Sequence, residues 1–434
     1  MPGCAAAGAT ISDMRISAAG TLFLLSVACS AQGKPASAEA PKSVTVPATI
    51  DHNRVIIHGE ISLPDGAWER VHVWVDNGNP DLYVSRRLAT LLALDVSCND
   101  KECTAPPPTG ITVGGMTISF AEVKQAHIPL KPVSAAAVLA AGVRADINLP
   151  SSVLRHYDVL FNFPARDFSI GAPGTIHFQG ESTKALINVE NGLIQVPTQI
   201  DNKKYNLALD IGSCINFLVE DLFDRLAAAH ADWPQMTGAV GSANMWGAPD
   251  EATWKLMRLE RLRYGSLFLT NVAVVALPKA IQDFFGKRAG VPTAGWLGTE
   301  ALLNYRVGLD YAHSTVYFDL GRTFNFPDFD VVGLVLRPED DGEFRVLGVA
   351  DFKGKPSVPS GVENIEAGDH LVAVDNIPVR GVSMGQVWSM LGGTPGQERI
   401  VTVERGGKQF AVVARVSHFL AEAADEKTSE KKKR

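Results

Sequence analysis

The chain holds little cysteine, five residues in 434, and no excess of positive charge: 40 Lys and Arg stand against 47 Asp and Glu, a formal net charge of −7. That balance excludes a surface built to bind nucleic acid. No apolar run is long enough to span a membrane in the mature chain. The sequence has no His-Glu-x-x-His, no Gly-x-x-x-x-Gly-Lys and no Gly-x-Gly-x-x-Gly, which sets aside zinc-peptidase, P-loop and dinucleotide chemistry. Its ten His are scattered, and no Cys or His pairs recur at the spacing a zinc site needs.

What is present is one short pattern that occurs twice. Val71-His-Val-Trp-Val-Asp76-Asn-Gly78 and Tyr205-Asn-Leu-Ala-Leu-Asp210-Ile-Gly212 are alternating strands that end on Asp, with a Gly two residues on. Apolar stretches that read as short helices follow, Leu82 to Leu92 and Phe217 to Ala227. Asp76 and Asp210 lie 134 positions apart. A second match pairs Val153 to Phe163 with Ala301 to Tyr311 at an offset of 148, so the second copy carries 14 extra residues between its landmarks. Each copy closes on a strand, Phe168 to Ile170 and Thr315 to Phe318.

A carboxylate at a strand end, above a tight glycine turn, is an acid pushed into a cleft, and two of them point to a facing pair. Two carboxyls about 3 Å apart share one proton, because both cannot ionise cheaply. The ionised member activates a water, and the protonated one hydrogen-bonds to the carbonyl under attack. No metal or organic cofactor is required. For either Asp alone, a turn or capping acid is the competing reading.

Residues 1–31 read as a secretory signal peptide, with lipid attachment at Cys29 as an alternative that would tether the protein to a membrane. The location expected is exported, periplasmic or extracellular. Residues 32–45 read as a linker rich in Ala, Pro, Ser and Lys. Cys98 and Cys103 flank a polar turn and read as a local disulfide in an exported chain, and Cys214 as a small buried residue. Two β-rich lobes are expected over 46–178 and 185–322. In the first, Gly114-Gly115 turns a hairpin. In the second, Gly238 to Gly247 precedes a strand. Either could be a flap over the cleft or an ordinary surface hairpin, and the extra residues make the second loop the longer cover. Trp246 reads as cleft lining or core packing. A third unit spans 328–418, and residues 419–434 form a charged, disordered tail.

These residues resemble a fused, two-lobed aspartic protease of the retropepsin-like kind. Asp-x-Gly ends a strand in each lobe, and Trp296-Leu-Gly298 precedes the strand Val307 to Tyr311. The third unit resembles a PDZ domain through Gly368-Asp-His-Leu-Val-Ala-Val-Asp-Asn-Ile-Pro-Val379. The resemblance implies a mainly β fold, two tandem acid-protease-like β-barrel lobes related by a pseudo-twofold axis, followed by a PDZ domain. It implies Asp76 and Asp210 as catalytic, with Gly78, Gly212, Gly114, Gly115 and Trp246 along the substrate path. The substrate would be an extended peptide or protein segment. It places a carboxylate-binding loop at Val332, Gly333 and Leu334, whose backbone amides would take a free C-terminus or an internal strand. Two departures stand out. The family sets Thr or Ser after each catalytic Asp, where this chain has Asn77 and Ile211. Pro150 and Asn148 stand where the second lobe has Gly298 and Trp296. An impaired, peptide-gripping scaffold acting mainly through its third unit is the alternative function.

Overall fold

The structure, a computed structural model, describes residues 41–100, 102–129, 144–289, 292–322, 328–339, 341–352, 355–356 and 360–420. The signal peptide expected over 1–31, Cys29 within it and the charged run after Leu420 lie outside the described residues. Among the described residues, no helix is long and apolar enough to cross a membrane. The architecture is mainly β, as expected.

The chain enters through β1 (Ser43–Pro47), which corrects the expected linker at its C-terminal end. Two long strands follow, β2 (Arg54–Ser62) and β3 (Trp68–Asp76). In β3 the alternation of buried and exposed residues gives way to continuous burial from Val73 to Asp76, because this end of the strand runs into the centre of the protein. Leu82 to Leu92 is not one helix: β4 (Leu82–Tyr83) comes first, and α1 (Arg86–Leu91) starts only after Ser85, whose hydroxyl caps it. The hairpin β5 (Gly110–Val113) and β6 (Met116–Ser119) turns on Gly114 and Gly115, both at positive φ. After it come β7 (Ile147–Pro150), β8 (Asp158–Asn162) and β9 (Asp167–Gly171). β1 lies antiparallel on β9, and the Thr45 and Ser169 hydroxyls bond at 2.8 Å.

The second half repeats this order. β10 (Lys203–Leu209) leads to Asp210, then β11 (Asn216–Val219) and α2 (Glu220–Ala229). Phe217 to Val219 is therefore strand, not helix; its apolar run is buried between two partner strands. The antiparallel pair β12 (Lys255–Tyr264) and β13 (Leu267–Leu277) precedes β14 (Gly295–Leu297), β15 (Tyr305–Asp310) and β16 (Thr315–Leu320).

The strand registers follow the sequence repeat. Val84 bridges Ile147 antiparallel in the first half, and Leu218 pairs Gly295 in the second, at the same offsets of 134 and 148. β7 runs parallel to β3 with Leu149 opposite Val75, and β14 runs parallel to β10 with Leu297 opposite Leu209. β8 pairs antiparallel with β15, Leu160 opposite Gly308, so residues 148 apart in sequence face each other.

The C-terminal sheet runs β17 (Leu334–Pro338), β18 (Phe344–Val349), β19 (His370–Val374), β20 (Glu398–Arg405) and β21 (Lys408–Arg415), in that order. Helix α3 (Met384–Leu391) lies before β20 and opens on a capping box of Ser383 and Gln386. The apolar run Val331 to Leu336 is not one strand. Asp330–Val331 pairs with Ser417–His418, and the chain turns before β17 begins. Phe419 and Leu420 are buried, so the expected disordered tail does not begin at 419.

Two apolar cores result. One fills both halves and includes Phe161, Phe168, Val307 and Phe318. The other runs from Phe217, Trp246 and Leu277 without a break into Val332, Leu336, Trp388 and Phe419 of the C-terminal unit.

Candidate active site

Asp76 and Asp210 meet. The backbone of each Asp-x-Gly turn is pressed against the opposite carboxyl. A methyl group on Gly78 would lie 2.0 Å from Asp210 Cγ, and one on Gly212 would lie 2.1 Å from Asp76 Oδ1. Only glycine fits either place, which is the physical reason for both. Asp76 is buried and Asp210 half-buried, and both line one cleft with Trp74, Asn79, Ser213, Phe217, Met245, Trp246, Leu277 and Trp296.

Backbone amides hold the acids in place. Gly78 N donates to Asp76 Oδ1 at 3.1 Å, and Ser213 N donates to Asp210 Oδ1 at 2.9 Å. Burial and then the charge of Asp210 hold the Asp76 carboxyl well above the usual range. Burial pushes Asp210 up to about 6, against the opposing pull of the Ser213 and Gly212 amides and the Arg54 cation. The pair therefore keeps one proton near neutral pH.

Asn77 spans the two turns. Its Nδ2 donates to Leu209 O at 2.9 Å, and its Oδ1 accepts from Ile211 N at 2.7 Å. Asn77 thus clamps the backbone on both sides of Asp210. Ile211 returns no such bond; its side chain is fully buried in the core, and its carbonyl accepts from Thr299 Oγ1 at 2.9 Å. Pro150 stands opposite Asp76 in the β7–β3 ladder, and Asn148 is not idle. Its Oδ1 accepts from Tyr83 N at 2.7 Å and its Nδ2 donates to Asp81 O at 3.0 Å, tying β7 to the turn beyond Asp76.

Trp246 stands in the cleft, stacked on Phe217 with centroids 5.7 Å apart and edged by Trp254. Gly114 and Gly115 do not cover it. Neither lines it, and a Cβ on Gly114 would touch Val44 and Val46 of β1, so the hairpin is packed on β1 and the flap reading is corrected. The expected carboxylate loop is corrected too. Val332 and Leu334 are fully buried, with Val332 N donating to Leu391 O at 3.0 Å and Leu334 N to Val332 O at 2.8 Å. Phe419 lies against Gly333, so no open anion seat exists there.

Cys98 and Cys103 form a disulfide, and Cys214 is a buried thiol, pushed up to about 12 by burial. The spacing Gly381-Val-Ser383-Met-Gly385 matches a nucleophile elbow, but Ser383 caps α3, accepting from Gln386 N and donating to Asp51 Oδ1 at 2.8 Å.

Sequence reasoning missed Arg54 and Met245. Arg54 is buried at the start of β2, 5.7 Å above the Trp74 ring, and its Nη2 donates to Met245 O at 2.7 Å. Its only sequence signal is a cation leading an apolar alternation. Met245 Sδ accepts from Cys214 N at 3.3 Å, across 31 residues. Met245 and Trp246 are among the residues that enclose a cavity of about 20 Å³ at the acids, room for about one water.

No family model matches the sequence, and no curated protein matches it. Among solved structures, the chain is similar to the aspartic proteinase from Irpex lacteus, at 10% identity and a TM-score of 0.38 over 64% of this chain and 97% of that one. A likeness that distant assigns neither fold nor function.

Proposed function

We propose that the protein is a two-lobed aspartic-type endopeptidase that hydrolyses extended polypeptide segments with Asp76, Asp210 and one water. The single observation that carries this is the interlock of the two turns, each glycine lying against the other half's carboxyl. The repeated strand registers support a pseudo-twofold pair of lobes, with Leu160 opposite Gly308 at its centre. The five-stranded path with α3 supports the PDZ-like reading of the third unit. The disulfide supports export to an oxidising compartment, with a lipid tether at Cys29 as its membrane-bound variant.

In this chemistry the ionised acid takes a proton from the water, whose oxygen attacks the peptide carbonyl. The protonated acid donates a hydrogen bond to the developing oxyanion, and the acid that took the water's proton passes it to the leaving amine as the C–N bond breaks. Purified chain, Asp76→Asn and Asp210→Asn are compared on a peptide library from acid to neutral pH. Either substitution should abolish turnover, since the acids act as a unit; turnover surviving in either variant rejects the mechanism. A peptide-binding protein without turnover, acting mainly through its third unit, is the second reading, favoured by a cleft with room for about one water at the acids.

A further inference from the structure

The loop that lines the cleft with Met245 and Trp246 also occupies the edge of the C-terminal sheet. β17 is an edge strand. Leu336 turns its amide and carbonyl away from β18, and both are taken by one side chain. Leu336 N donates to Asn244 Oδ1 at 2.9 Å, and Asn244 Nδ2 donates to Leu336 O at 2.9 Å. The Asn244 amide thereby reproduces one residue of a β-ladder. The next two residues, Met245 and Trp246, stand beside Asp76 and Asp210.

The loop is anchored from within by Glu251, which is fully buried. Its carboxyl accepts from Asn244 Nδ2, from Trp246 N at 2.9 Å and from Ala248 N at 3.1 Å. On its far side the loop meets the first half, through His52 at Gly241 O and Arg54 at Met245 O. Gly241 and Gly247 sit at positive φ, and a Cβ on either would strike Asp328 O or the Arg337 backbone, so the loop fits its seat closely.

From this double tenancy we infer that residues 238–254 are an intrachain plug, and that an extended polypeptide adding as a strand to the edge of β17 displaces Asn244 and opens the cleft at the two acids. The partner is defined by that edge: a backbone offering one donor and one acceptor in ladder geometry, which any extended peptide supplies. The inference rests on the hydrolase reading only for what opening achieves; the coupling itself is structural.

The test uses the full chain and two variants, Asn244→Ala and Glu251→Gln, the second retaining side-chain volume should the first not fold. Hydrogen exchange is followed at 238–254 and 334–338, and opening of the cleft is read by carbodiimide labelling of Asp76 and Asp210. Both variants should speed exchange in both segments and raise labelling by roughly tenfold, with β20 and β21 unchanged. Faster exchange at 238–254 without more labelling overturns the plug. More labelling without peptide turnover upholds the plug and sinks the hydrolase reading instead. A peptide copying 241–248, added to the parent chain at about millimolar concentration to rival an intramolecular partner, should raise exchange at 238–254. The same peptide with Ala in its fourth place should act as well, since a strand added at β17 bonds through its backbone; action by the Asn peptide alone overturns strand addition. If neither acts, strand addition at β17 is overturned.

Discussion

At the residue scale, the acids set a proton balance with a definite sign. Asp210 rises from an ordinary 3.8 to about 6 in the folded protein. The native state therefore binds more protons than the unfolded chain between those values, and stability falls as pH climbs through that window. Asp210→Asn removes this cost. It should stabilise the protein by about 3 kcal/mol at pH 8, with the gain gone below about pH 4. Thermal melts across pH check this; a gain that persists in acid contradicts it. The same titration shapes activity. Turnover should rise as pH climbs through about 6, where the second proton leaves the pair, and fall again where Asp76 loses its own.

At the element scale, the turn after β3 is pinned to the turn after β10 by one side chain. Asn77→Ala strands the buried Ile211 N–H and Leu209 C=O. Leaving such a group unpaired costs about 1–3 kcal/mol, and chemical denaturation should register a loss in that range. The acids lose their mutual placement as well, so turnover should fall further than stability does. An unchanged rate would mean that the glycine contacts alone position the pair. The Asp-Ile-Gly turn shows why the sequence invited doubt. A hydroxyl after each Asp would make the clamp mutual, whereas here one amide bonds both flanks of a single turn and the other side is apolar packing.

At the scale of the whole molecule, the C-terminal unit is joined to the second half by a shared core rather than by a flexible tether. Trp246 and Trp254 belong to the same cluster as Val332, Leu336 and Phe419. Heat should therefore unfold the described residues in one cooperative transition. Phe419→Ala, which empties the space against Gly333, should cost about 3–5 kcal/mol and lower that single transition. Scanning calorimetry that resolves two transitions, one unmoved by the substitution, would show the C-terminal unit folding alone.

The order of elements, the repeat and the two acids were legible in sequence because each is local: a period-two strand, an Asp at its end and a Gly where no side chain fits. The offsets of 134 and 148 carry the strand pairs of one half onto those of the other. Local pattern could not separate strand from helix over Phe217 to Val219, because a short apolar run suits either until partner strands claim it. Nor could it show that Gly114 and Gly115 pack on β1 rather than line the cleft, that Val332 and Leu334 spend their amides internally, or that Arg54 and Met245 stand beside the acids. Those outcomes depend on contacts between residues tens to hundreds of positions apart. Only the closed fold settles which backbone groups, surfaces and charges still have room for a partner.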